Sequence, residues 1–175
     1  MYHGEKFNSI SHLVGAALSL VGVSVMMTLA VQSGDPWRMV SVAVYGFMMF
    51  FMYLSSTLYH SVQGAAKPVL RKMDHVAIYL MIAGSYTPFA LIKLRAGMGW
   101  MLLVAVWVMA GLGILQEFFL KSKSRIFSVV LYVLMGWLII FALKPLTEAL
   151  STSGLVWLVA GGLLYNGGIL FYAFD

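Results

Sequence analysis

MVSVAVYGFMMFFMYLSSTLYHSVQGAA, residues 39–66, is a run of 28 residues without Asp, Glu, Lys or Arg. A bilayer hydrocarbon core about 30 Å thick takes about 20 helical residues at 1.5 Å each, so the run is long enough to cross it. It also carries Ser56 and His60, one turn apart on a single helix face, and a hydroxyl and an imidazole at that position need a reason. Five further stretches, 7–34, 75–92, 96–116, 126–143 and 149–174, are likewise free of charged residues. Backbone groups in lipid must satisfy one another within the segment, which makes each stretch a helix. The fold class expected is all-α: a polytopic transmembrane helix bundle with six spans, at approximately 10–32, 38–61, 75–92, 98–118, 126–143 and 154–174. Residues 1–175 make a single integral membrane domain.

Composition agrees with this class. Hydrophobic residues make up 62% and charged residues 10% of the chain, against roughly 45–50% and about 25% in soluble domains. The net charge of +5 comes from basic residues scattered through short connections, with no basic run or basic helix face, so nucleic acid is not an expected partner. Membrane lipid is. The absence of cysteine excludes disulfides and thiolate metal sites and leaves His, carboxylate or water as ligands. The first span is too long, and lacks a small-residue cleavage site, for a removable signal peptide. SGDPWR (33–38), KLRAGMG (93–99) and LTEALSTSG (146–154) read as turns between helices.

With the N-terminus in the cytoplasm, the inner side carries Lys6, Lys67, Arg71, Lys72, Lys121, Lys123 and Arg125, seven cations against four outside (Arg38, Lys93, Arg95, Lys144). The positive-inside rule favours that arrangement. It brings His12, His60, Asp74 and His75, from three helices, to the cytoplasmic face, with Glu5, Asn8 and His12 spaced i, i+3, i+7. Each taken alone also has a structural explanation, because ionisable groups near helix ends reach the headgroups at little cost and a membrane Ser bonds its own backbone or a neighbouring helix. His3 reads as a solvated terminal residue. Trp37, Trp100 and Trp157 sit at the outer ends as belt anchors. Pro88 is expected to kink the third helix, with Ser85 or Thr87 satisfying freed backbone groups, and Gly161, Gly162, Gly167 and Gly168 to allow close helix approach.

E-x-x-N-x-x-x-H (Glu5, Asn8, His12), SSTLYH (55–60), DHVAIYLMIAGSYTPF (74–89), GWL (136–138) and YNGGILFY (165–172) together resemble the bacterial hemolysin III family, the prokaryotic branch of the progestin and adipoQ receptor family. The likeness covers essentially the whole chain. It implies a seven-helix bundle with a zinc ion near the cytoplasmic side, held by one His of the second helix and two of the seventh, with an Asp and a Ser near the metal and its water. Carried onto this sequence, the metal ligand is His60, the hydroxyl Ser56 and the acidic partner Asp74. Three imidazoles and a water make an open tetrahedral zinc site that acidifies the water and polarises a carbonyl.

The sequence departs from that pattern where it ends, at Asp175, before an H-x-x-x-H pair. His12 and His75 are the other imidazoles at that face, and His75 points about 100° around its helix from Asp74. Three explanations stay open: the sequence is truncated, a second chain or second copy supplies the missing ligands, or the variant is metal-free. A groove left by a missing helix would call for a homo-oligomer or another partner. Two function classes follow. One is a zinc-dependent hydrolase of lipid amides or esters in membrane homeostasis, in the bacterial inner membrane, with Asp74 and Ser56 catalytic. The other is a non-enzymatic, metal-free protein that perturbs membranes (cytolysis) or acts as a receptor.

Overall fold

The computed structural model describes residues 4–119 and 126–174, with side chains described as far as residue 169. The described residues form helices α1 (Lys6–Gln32), α2 (Pro36–Ser61), α3 (Lys67–Pro88), α4 (Gly99–Phe119), α5 (Ile126–Trp137), α6 (Leu143–Ala149) and α7 (Thr152–Phe174), and no strand occurs among them. Five rods are long and apolar enough to cross a bilayer: Lys6–Gln32, Pro36–Ser61, Gly64–Lys93, Gly99–Phe119 and Ile126–Ala149. Helix α7 adds 23 residues without a charged side chain, about 34 Å of helix. The all-α polytopic bundle is the fold. His3, Lys121, Lys123 and Arg125 lie outside the described residues.

Short connections make neighbouring helices antiparallel. Between α1 and α2 the chain turns through Gly34, whose φ of 66° is open to glycine at low cost, and Asp35 caps α2 by accepting from the Trp37 backbone N–H at 2.9 Å, ahead of Pro36 as the first helical residue. At the same end Trp37 meets Trp100 edge to face, with ring centroids 5.7 Å apart, and the Arg95 guanidinium lies 4.9 Å over Trp37. The tryptophans at the starts of α2 and α4 therefore share one end of the bundle.

Helix α3 is the central one. It packs against α2, α4 and α5, and 56% of its span window is buried, against 28% or less in the other four. Lipid supplies no hydrophobic drive between helices, so close packing and buried polar bonds have to hold them. Tyr79, Ala83 and Tyr86 of α3 interlock with Val106 and Ala110 of α4 and with Met135 of α5. Gly113 of α4 lies directly against the Tyr79 ring, where a Cβ would collide.

The expected third span starts at 75, but α3 starts at Lys67. Lys67, Arg71 and Lys72 sit on helical turns beyond the apolar part, so charge marks the depth of the hydrocarbon and not the helix end. Pro88 cannot donate to the carbonyl of Gly84. The chain widens after it into a π-type turn over Phe89–Lys93, closed by the Leu94 N–H donating to Phe89 O at 3.0 Å. Ser85 and Thr87 do not serve that carbonyl: their hydroxyls donate to Ile82 O at 2.7 Å and Ala83 O at 3.1 Å. Helix α4 restarts at Gly99, whose N–H donates to Leu94 O at 2.9 Å. A Cβ at Gly99 would press on the backbone oxygen of Ala90 and lie 2.6 Å from that of Leu94. Backbone cannot swing aside as a side chain does, so Gly99→Ala is expected to cost about 2 kcal/mol, read as a lower thermal midpoint in detergent.

The fifth rod is broken, which charge gaps do not reveal. Residues 138–142 tighten into a 3₁₀ turn between α5 and α6, because Pro145 has no N–H for the Phe141 carbonyl and its ring crowds it. Part of the expected loop 146–154 is consequently helical, as the end of α6. Helix α7 packs on α5, with the Tyr165 hydroxyl donating to Tyr132 O at 2.7 Å. A Cβ at Gly161, Gly162, Gly167 or Gly168 would meet nothing within 4 Å, so among the described residues these glycines mediate no close approach.

Candidate functional site

The turns of α1, α2 and α3 opposite the Trp37–Trp100 end bring the polar residues together. Glu5 stands at the N-cap of α1 and Asn8 donates to its Oε2 at 3.2 Å, as the i, i+3 spacing requires. The same oxygen lies 2.6 Å from Nδ1 of His60, from the last turn of α2. The His60 side chain is 17% exposed, turned toward α1, and its ring stacks on His12 at 5.6 Å with 9° between planes. One turn earlier the Ser56 hydroxyl donates to Asp74 Oδ1 of α3 in a very short contact. His12 lies within electrostatic reach of both His60 and Asp74. The hydroxyls of buried Ser9 and Ser61 meet and pin α1 to α2 beside the cluster.

Burial opposes the charge of Glu5, but hydrogen bonds from His60 and Asn8 and the nearby Lys67 ammonium outweigh it and hold the carboxyl below its ordinary value. Glu5 is therefore an anion at neutral pH. With His60 Nδ1 facing that carboxylate, Nε2 is the nitrogen left for a ligand, the arrangement by which a carboxylate orients a metal-binding imidazole.

The structure joins Ser56 to Asp74 and His60 to Glu5 and His12, but it sends His75 elsewhere. His75 is 8% exposed and faces α4, with Nδ1 3.4 Å from Glu117 Oε2. His12, His60 and Asp74 thus form one cluster at that end, while His75, about 100° around α3 from Asp74, faces a different neighbour. His75 belongs to a second polar cluster that the sequence reading missed. Ser128 of α5 donates to Glu117 Oε1 at 3.1 Å and to Gln116 Oε1 at 3.2 Å, and Tyr79 donates to Gln116 at 3.2 Å. Glu117 had served only as the boundary of a charge-free stretch. The available signal was spacing: Leu102, Val106, Ala110 and Gly113 form the buried stripe of α4, and Gln116 continues it by one turn.

A zinc ion bound by protein nitrogen and oxygen needs about three such donors plus water. Among the described residues no group of three or more His, Asp or Glu side chains is placed to hold a metal ion. They supply one oriented imidazole, His60, and a carboxylate already engaged by Ser56. On their own they do not complete a zinc site.

Fold and site together define an integral membrane helix bundle with a polar cluster at one end of its spans. The family model for haemolysin-III-related proteins matches residues 1–175, and the chain belongs to that family. It is 42% identical over 172 residues to "Hemolysin-3" of Bacillus cereus, covering 98% of this chain and 78% of that protein. It is 42% identical over 169 residues to "Hemolysin-3 homolog" of Bacillus subtilis (strain 168), covering 96% and 79%. "Monocyte to macrophage differentiation factor" of Homo sapiens is 27% identical over 179 residues, covering 96% of this chain and 71% of that protein. No solved structure matches.

Proposed function

We propose that this haemolysin-III-related protein is an intramembrane hydrolase of lipid amides or esters that serves membrane homeostasis, with His60 as one ligand of a zinc ion. The supporting observation is the pairing of Ser56 with Asp74 beside a His60 whose ring Glu5 holds in place. The zinc ion's further ligands in this reading come from outside the described residues. When bound, zinc supplies an acidified water and polarises a carbonyl. The chain's own residues do the rest: Ser56 fixes the rotamer of Asp74 through Oδ1, which leaves Oδ2 to accept a proton, and Glu5 keeps Nδ1 of His60 protonated. The cluster faces the cytoplasm of the bacterial inner membrane in this reading, with the N-terminus inside, on the strength of the Lys and Arg distribution.

The test is zinc per mole of purified protein, with cleavage of an N-acyl lipid and an acyl ester measured on the same sample. Near-stoichiometric zinc and cleavage, both lost in His60→Ala, support the proposal; folded wild-type protein without zinc or cleavage removes it. The name of the Bacillus cereus relative and the incomplete donor set favour a second reading, permeabilisation of membranes without a metal. Dye leakage from liposomes that persists in His60→Ala and in the presence of chelator would select it.

A further inference from the structure

The starts of α3 and the end of α4 form, on the outside of the bundle, an open groove of about 300 Å³ lined by Pro68, Val69, Lys72, Met73 and Phe118. Val69 is 61% and Phe118 56% exposed, so the apolar lining faces outward. The groove lies where the spans Gly64–Lys93 and Gly99–Phe119 terminate, the depth at which hydrocarbon gives way to headgroups. Among the described residues that line it, Lys72 is the charged one. Its Nζ stands 5.4 Å from the Phe118 ring centroid, a contact through the ring face that leaves ammonium protons directed outward.

Of the other described cations on the first turns of α3, Lys67 donates to Tyr59 O at 2.7 Å and lies over the Tyr59 ring, and neither it nor Arg71 is among the groove's described lining residues. Among the described residues no carboxylate lines the groove. These residues make an apolar trough with the Lys72 ammonium at its mouth, at headgroup depth, complementary to a molecule with an acyl chain and a negative head.

We propose that this groove binds one anionic glycerophospholipid, its chain against Val69, Met73 and Phe118 and its phosphate on Lys72. The proposal is independent of the hydrolase reading, since no residue of the Ser56–Asp74 or His60–Glu5 pairs lines the groove. The test incubates the protein in detergent with equal amounts of palmitoyl-oleoyl phosphatidylglycerol and phosphatidylcholine and counts retained lipid by native mass spectrometry. One phosphatidylglycerol is expected to be retained in preference. Lys72→Ala should lower the glycerol-to-choline ratio about fivefold, the worth of one interfacial cation, and Lys72→Arg should keep it. Phe118→Ala should reduce retention of both lipids. An unchanged ratio in Lys72→Ala overturns the proposal, as does an equal fall in Lys93→Ala at the opposite end, which would mark diffuse charge. Displacement of the lipid by glycerol 1-phosphate, a headgroup without a chain, also overturns it.

Discussion

Asp74→Asn is expected to lower lipid cleavage by about 10²–10⁴-fold, the usual worth of a positioned proton acceptor, while leaving the protein folded. The substitution is nearly isosteric. Ser56 Oγ donates to Asp74 Oδ1, and the amide oxygen of asparagine can accept that same bond, so α2 and α3 stay joined. What disappears is the basic oxygen. Ser56→Ala removes only the group that fixes the carboxylate, and its loss should be about tenfold, because the base survives with a freer rotamer. The order of the two effects separates chemistry from structure: a merely structural Ser56–Asp74 bond predicts a loss in Ser56→Ala, in activity and in thermal midpoint alike, and little change in Asp74→Asn, which keeps the bond. Initial rates on the lipid cleaved by the wild type, with midpoints in the same detergent, check this. Wild-type rates in Asp74→Asn would falsify the base assignment.

The bundle was legible in the sequence because charge is the costliest thing to place in hydrocarbon, so the gaps between charges mark the spans. The same signal is blind to events inside a gap. The 3₁₀ break at 138–142 depends on Pro145, and charge gaps carry no information about it; reading Pro145 four residues past Phe141 would have found it. Ser56, His60 and Asp74 were found because polar residues stand out against an apolar run, and the structure brings Asp74 to Ser56 across two helices. That His75 points away from Asp74 followed from helix geometry alone, but its partner Glu117 did not. A residue that ends a charge-free segment looks like a loop residue until the buried stripe through Gly113 and Gln116 shows that the last turn of α4 still faces the core. Close packing was the least accessible. Four glycines in α7 look like a helix contact, yet a Cβ on any of them would meet nothing within 4 Å among the described residues, whereas Gly113, isolated in α4, lies against Tyr79.

Tyr86→Phe should destabilise the protein by about 2–4 kcal/mol, a cost out of proportion to the removal of one oxygen. Tyr86 sits in the last turn of α3, 6% exposed, and reaches across to the break in the fifth rod. Its hydroxyl donates toward Met135 O and Gly136 O, each at 2.8 Å, and accepts from the Ile139 N–H at 3.0 Å. These are the backbone groups left where the α-helical ladder of α5 gives way to the 3₁₀ turn. Within a membrane no water is at hand to replace the hydroxyl. Each lost bond costs about 1 kcal/mol, and a buried donor left without a partner about 1–3 kcal/mol. Phenylalanine keeps the ring and its packing, so the loss isolates the hydroxyl. The measurement is the denaturation midpoint of Tyr86→Phe beside Tyr165→Phe, whose hydroxyl donates only to Tyr132 O among the described bonds and should cost about 1 kcal/mol. Hydrogen exchange should rise first at the Ile139 amide, because that N–H loses its acceptor. Equal midpoints for the two variants, with Ile139 still protected, would mean that the break is held by Pro145 alone.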